Sequence, residues 1–258
     1  MHWPRVASFR FAEDDAFVTA FVEPGVPLAR VEDIYRRSVL PMAMQALGRE
    51  ALHASGILTA SGVVAFAARS HSGKSTLAYA LSRRGFPQWA DDGVALDVSP
   101  GRVTSIPLPF QVRLRPESSR LFGFDDPCLR QFTPDLVVAD TAAQPEPLAA
   151  ICVIEGPGAP GPGAGAAAIA RVAPAQAFQS VLIHAHEFDP HDTGRRRRML
   201  QAYLELADTV PVYDLRVQQG REHLDAVLDA VVSTLGLRLP ARVGEPTLRR
   251  REREAMTA

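Results

Sequence analysis

Gly62-Val63-Val64-Ala65-Phe66-Ala67-Ala68-Arg69-Ser70-His71-Ser72-Gly73-Lys74-Ser75-Thr76-Leu77-Ala78-Tyr79-Ala80-Leu81 is the stretch that decides how this chain is read. Val63 to Ala68 is an unbroken apolar run and predicts a buried strand. Leu77 to Leu81 predicts the start of a helix. Between them, Arg69 to Thr76 closes on Gly-Lys-Ser-Thr, which gives the strand, phosphate-loop, helix order of a P-loop. Ala68 stands where the usual pattern has its first glycine. Of the 28 lysines and arginines, Lys74 is the single lysine, which argues against a coincidental match.

A loop of this kind works by geometry. Successive backbone N–H groups from Ser70 to Lys74 can surround a phosphate, aided by the N-terminus of the following helix. Gly73 permits close approach of the backbone. Lys74 reaches terminal phosphates, and the Ser75 hydroxyl suits Mg²⁺. Arg69, Ser70, His71, Ser72, Gly73, Lys74, Ser75 and Thr76 are therefore the candidate nucleotide-binding residues.

The next signal is Asp91-Asp92. The helix is expected to end near Arg84, with Gly85 as its C-cap. About eleven helical residues carry the chain roughly 16 Å from the loop. A return strand over Pro87 to Ala90 covers a similar distance. The two aspartates are thus expected level with the loop, at the carboxyl end of the neighbouring strand, where open α/β sheets bind ligands. One carboxylate there can hold Mg²⁺ and the other can take a proton from an attacking hydroxyl. The plainer use is an Asp-Asp-Gly turn, since Gly93 follows.

Around this unit, residues 5–11 and 16–22 predict a hairpin turned at Glu13-Asp14-Asp15, and residues 30–48 a helix interrupted by Pro41. Residues 57–60 and 63–67 predict a second hairpin turned at Ser61-Gly62, and residues 94–98 and 103–106 a third. Residues 107–116 read as a proline-bounded connection with a short strand. Strands are expected at 148–154, 169–172 and 211–217, and helices at 174–183, 199–206 and 224–235. Residues 155–165 are Gly/Pro-rich and read as a mobile loop. The organisation expected is an N-terminal hairpin and helix over 1–49, packed on a core of 50–238, with a charged disordered tail over 239–258.

Composition sets the class. The chain has 258 residues, 47% hydrophobic and 22% charged, as in ordinary globular proteins. A net charge of −1 gives no reason to expect nucleic acid or a membrane surface as partner. The two cysteines, Cys128 and Cys152, form no metal-type pair or disulfide framework, and a reducing cytoplasm fits them. No stretch has the length of a membrane span. The sequence leaves self-association open.

The run His53-Ala54-Ser55, the hairpin, the loop Ser70 to Thr76, Arg83-Arg84-Gly85 and Ala90-Asp91-Asp92 resembles the catalytic domain of HPr serine kinase/phosphorylase. It is more similar to the stand-alone HPr kinase-like proteins, including those of peptide natural-product clusters such as lasso peptide kinases. Leu206 to Leu215 is similar as well. The resemblance spans residues 50–235 and is densest over 53–92. It implies an α/β P-loop kinase of the HPr kinase C-terminal domain and PEP carboxykinase-like type, a mixed sheet with flanking helices. It implies transfer of the γ-phosphate of ATP to a hydroxyl, with ATP and Mg²⁺ as cofactors and a serine of a peptide or small protein as acceptor. It makes Asp92 the base, puts Asp91 and Ser75 at the metal, Lys74 at the phosphates, and His53 near phosphate or acceptor. Without it, His53 reads as a hydrogen-bonded core histidine.

The chain departs from the bifunctional enzymes in two places. Residues 1–49 are not expected to form their separate N-terminal domain, and their glycine-containing signature is replaced here by Pro109-Phe110-Gln111-Val112-Arg113-Leu114-Arg115. Phosphorylase activity and HPr as substrate are therefore not expected. A kinase of a small metabolite or free amino acid, and an ATP-binding regulatory protein without transfer, are the alternatives. Among other candidates, His184, His186, Glu187, Asp189, His191 and Asp192 lack a metal-ligand spacing and fall at a predicted helix end. Arg195 to Arg198 and Arg249 to Arg251 read as solvated charge, Asp125-Asp126 as a turn, and Trp89, Phe122 and Phe124 as core.

Overall fold

The computed structural model describes residues 1–12, 17–70, 72–110, 112, 114–123, 144–155, 165–187, 189 and 191–241. Strands β1 (His2–Trp3), β2 (Ala7–Arg10) and β3 (Thr19–Val22) form a small antiparallel sheet. Helix α1 (Leu28–Ile34) runs through a π-helical turn, Tyr35–Val39, into α2 (Leu40–Ala46). The main body follows as β4 (Glu50–Leu52), β5 (Ala54–Thr59), β6 (Gly62–Ala68), α3 (Lys74–Arg83), β7 (Gln88–Ala90), β8 (Val94–Ser99) and β9 (Arg102–Ile106). It continues with α4 (Pro116–Leu121), β10 (Glu146–Ile154), β11 (Ala167–Arg171), α5 (Pro174–Leu182), α6 (Thr193–Thr209), β12 (Val212–Val217) and α7 (Arg221–Thr234).

These strands make one mixed sheet with flanking helices, as expected. Its central order is β7-β5-β6-β10-β12-β11, with β6, β10 and β12 parallel and β5, β7 and β11 antiparallel to their partners. The long β10 is the pivot. Leu148 to Ile154 pair with β6, whereas Glu146 and Pro147 pair with β9, so β9, β8 and β4 continue the sheet as a curled antiparallel arm. Gly62 sits at that crossing with φ 118°, and a Cβ there would lie 2.2 Å from the Pro147 carbonyl oxygen. Only glycine fits.

The apolar run of β6 is explained by burial of both faces. Val63, Ala65 and Ala67 join Ile151 and Val153 against α5 and α6. Val64, Phe66 and Ala68 join Cys152 and Ile154 against α3 and α7. Burial pushes the Cys152 thiol up to about 12, so it is an inert core residue.

Several local expectations shift. Thr59 pairs with Gly62, which moves the hairpin turn to Ala60-Ser61. Pro41 does not break its helix. It occupies the first turn of α2, where its missing N–H costs nothing, and the irregularity is the π turn before it. Around residues 107–116 the described residues form no strand, and α4 starts at Pro116. Helix α6 begins six residues before Met199, at Thr193, where the Asp192 carboxylate accepts the Arg195 N–H at 2.9 Å. Arg195 is not solvated: it is 7% exposed, and its guanidinium donates to Glu50 at 2.8 Å and to the Arg49 carbonyl at 3.0 Å. Trp89 is core, its indole N–H donating to Ser105, and half-buried Phe122 packs edge-on against Tyr79. Glu13-Asp14-Asp15, Phe124, Asp125-Asp126, Cys128, the Gly/Pro stretch 156–164 and the tail 242–258 lie outside the described residues. No described helix is long and apolar enough to cross a membrane.

Candidate active site

β6 ends at Ala68 and α3 starts at Lys74, so residues 69–73 span the gap. The Ser72 N–H donates to the Arg69 carbonyl at 3.2 Å, and Gly73 caps the helix with φ 90°. A Cβ on Gly73 would meet nothing within 4 Å, so the glycine serves the left-handed backbone and not packing. Lys74 is nearly buried although it is the first residue of its helix. Arg69 and Ser70 are exposed, Ser72 is buried, and Ser75 and Thr76 are half-buried. His71 lies outside the described residues.

The aspartates arrive at the expected edge but not on the neighbouring strand. β5 lies between β6 and β7, and runs antiparallel to both. β5 therefore starts where the other two end. That places His53 and Ser55 between the loop and Asp91-Asp92. The Ser55 hydroxyl donates to Asp91 Oδ1 at 2.6 Å and lies 3.4 Å from Ser75 Oγ. Lys74 Nζ is 3.4 Å from Asp92 Oδ1. His53 Nδ1 donates to the Asp92 carbonyl at 3.2 Å. Asp92 itself has φ 62°, a conformation that L-residues other than Asn and Asp seldom adopt and that costs on the order of 1 kcal/mol. Asp91 is buried, Asp92 half-buried.

Behind this row the segment His184–His186 lies against the β4–β5 link. The His53 N–H donates to the His184 carbonyl at 2.7 Å, the His186 N–H to the Ala51 carbonyl at 2.9 Å, and Ala185 bridges Leu52. The two histidines flank a β-bridge instead of closing a helix. Among the described residues no three His, Cys, Asp or Glu side chains gather as a metal site. Burial, reinforced by the neighbouring His53, holds the His184 and His186 rings down to about 4. Burial and then the Lys74 charge lower His53 in the same sense. All three rings are therefore neutral near pH 7.

The groups open onto a cleft of about 1010 Å³. Ser70 and residues 72–77 form its floor. At the β5/β7 end its walls are polar: Asp92, His53, His186, Arg37 and Ser38. At the β10/β12 end Ile154, Val217, Leu224 and Val227 are apolar, with Gln218 and Gln219 of the β12–α7 link beside them. Helix α4 joins the cleft through Ser118, whose hydroxyl is 2.7 Å from that of Thr76 on α3. Arg115 also lines the cleft, while Arg113 lies outside the described residues.

No family profile matches the sequence, and no curated protein does. Solved structures do. The fold is similar to that of the HPr(Ser) kinase/phosphatase from Coxiella burnetii. The two are 13% identical with a TM-score of 0.39, matched over 72% of this chain and 97% of that one.

Sequence reasoning missed Ser55, Ser118, His186, Arg37 and Ser38 as cleft residues. Ser55 left a trace: a polar residue at the head of an otherwise apolar strand, two after His53. Arg37 and Ser38 left none, because long-range packing brings their helix to the cleft.

Proposed function

We propose that the chain is an ATP-dependent kinase that moves the γ-phosphate to a hydroxyl, with a serine of a peptide or small protein as the acceptor. The observation that carries this is the Lys74–Asp92 ion pair, both of whose residues line one cleft. A protein that only bound nucleotide would have no need of a carboxylate on the reacting side of its lysine.

In this reading residues 50–238 are the catalytic domain, and residues 1–49 pack against it to supply one wall of the cleft. The nucleoside lies at the end formed by Ile154, Val217, Leu224 and Val227, and the phosphates lie on residues 69–76. Ser75 and Asp91 would hold Mg²⁺. Their oxygen chemistry suits a hard cation, and Ser55 already ties the two together. The ion, when bound, would neutralise charge on the phosphate oxygens.

Lys74 turns from Asp92 to the bound γ-phosphate, which leaves the carboxylate free to face the acceptor. The acceptor oxygen forms its bond to phosphorus as the bond to the ADP oxygen breaks, and the hydroxyl proton passes to Asp92. Lys74 and the loop N–H groups hold the charge that collects on the phosphoryl oxygens. His53 steadies the Asp92 carbonyl, and with it the strained turn.

Calorimetry with ATP, alongside mass spectrometry of serine peptides incubated with ATP, tests this. Lys74→Ala abolishes transfer. Lys74→Ala protein that still phosphorylates peptide overturns the proposal.

A further inference from the structure

The polar end of the cleft contains more than proton transfer needs. Arg37 and Ser38 come from the N-terminal helical segment, outside the body that carries the loop and the aspartates. Their position is set by the π-helical turn Tyr35–Val39, an insertion that rotates side chains off the regular helical face and recurs at functional sites. The segment is seated close to the reacting groups. The Pro41 ring lies 3.2 Å from where a Gly93 Cβ would stand, next to Asp92, and Gln45 donates to the His186 carbonyl.

The N-terminal segment adds a cation, Arg37, to the cleft wall. Lys74 and Asp92 are paired with each other, and both neighbouring histidines are neutral. Arg37 meets Asp33 at 3.0 Å through one terminal nitrogen, and its Nε is buried, so the cleft meets the guanidinium only at its exposed terminal edge. Asp33 thus orients the guanidinium, whose side chain stays 37% exposed in the cleft wall. A planar fork held in this way is suited to a carboxylate. Ser38 adds a hydroxyl donor beside it.

We propose that Arg37 and Ser38 hold an anionic group of the acceptor, so that the hydroxyl substrate is one with a carboxylate next to the hydroxyl. This rests on the kinase reading above and narrows its substrate class. Two sources share that chemistry: a peptide serine flanked by an acidic residue, and a free hydroxy amino acid. In either, the carboxylate docks on Arg37 while the hydroxyl points at Asp92.

The test uses the full chain, ATP and three probes followed by mass spectrometry: a serine peptide with an adjacent Asp, the same peptide with Asn, and free L-serine. The Asp peptide or free serine is expected to be phosphorylated at least tenfold more efficiently than the Asn peptide, and whichever leads names the source. Arg37→Gln raises KM for that acceptor about tenfold with little change in kcat, and Arg37→Lys restores part of the loss. Arg37→Glu shifts preference to a peptide with an adjacent Lys. Arg36→Gln, whose side chain pairs with Glu32 and does not line the cleft, is the folding and activity control. Use of the Asn peptide equal to that of the better of the other two probes, or an unchanged KM in Arg37→Gln, overturns the inference and leaves the kinase reading intact. Transfer to none of the three probes overturns both.

Discussion

Arg195→Met removes a buried cation behind the site that does not line the cleft. Its guanidinium donates to Glu50 at 2.8 Å, the Arg49 carbonyl at 3.0 Å and the Gln45 carbonyl at 3.3 Å. Those bonds tie α6 to the link that leads through β4 to His53. Met has nearly the right volume and restores none of them, and it leaves Glu50, 4% exposed, without its partner. Breaking a buried pair in this way costs about 3–5 kcal/mol. For a chain of this size that corresponds to a fall in Tm of about 6–20 °C. The loss depends on pH in a defined sense. Burial raises the Glu50 pKa, and Arg195 opposes the rise most, ahead of Gln45 and Arg198. Without the arginine it climbs further. A carboxyl with a raised folded pKa contributes stability below its unfolded value of about 4.5, and loses it as pH rises through the folded value. The deficit of Arg195→Met is therefore larger at pH 8 than at pH 5.5, and adding Glu50→Gln recovers part of it. Urea and thermal unfolding at the two pH values measure this. A loss below about 1 kcal/mol, or one that shrinks as pH rises, refutes the reasoning.

Gly62→Ala combines a left-handed backbone with a Cβ 2.2 Å from the Pro147 carbonyl, and is expected to cost about 2–5 kcal/mol in urea unfolding. Ser55→Ala removes the hydroxyl between Asp91 and Ser75, and is expected to raise the Mg²⁺ concentration needed for half-maximal transfer several-fold, with folding retained. Acid unfolding reports the buried rings. His184 and His186 hold pKa values near 4 against 6.5 unfolded, so their stabilisation is complete above about pH 6.5 and falls away towards pH 4. Each adds up to about 1.4 kcal/mol per pH unit to that slope, and His184→Gln should flatten it.

The nucleus of the fold was legible because its signals are local. An apolar run buried on both faces, a Gly-Lys-Ser-Thr turn and a short helix fix β6, the loop and α3 within neighbouring residues. Helix rise and strand rise were enough to bring Asp91-Asp92 back to the right edge. They did not place β7 on the far edge of β5, because that pairing, unlike the local β5–β6 hairpin, joins residues far apart in the chain. The same limit hid Arg195, which reads as one of four consecutive arginines until Glu50 is set beside it. It also hid the π turn, which places Arg37 and Ser38 in the cleft without any mark in composition or periodicity.

The central claim is that Asp92 takes the proton of an acceptor hydroxyl, and Asp92→Asn tests it most directly. Asn tolerates the φ of 62° at this position and keeps the side-chain shape, so the turn and its bond to His53 persist. It also frees Lys74 from its ion pair. Single-turnover transfer to a serine substrate, measured beside ATP affinity on the same preparation, should show transfer slowed by about 10²-fold or more with ATP bound as tightly as by the unaltered protein or more tightly. Transfer at the unaltered rate would contradict the account.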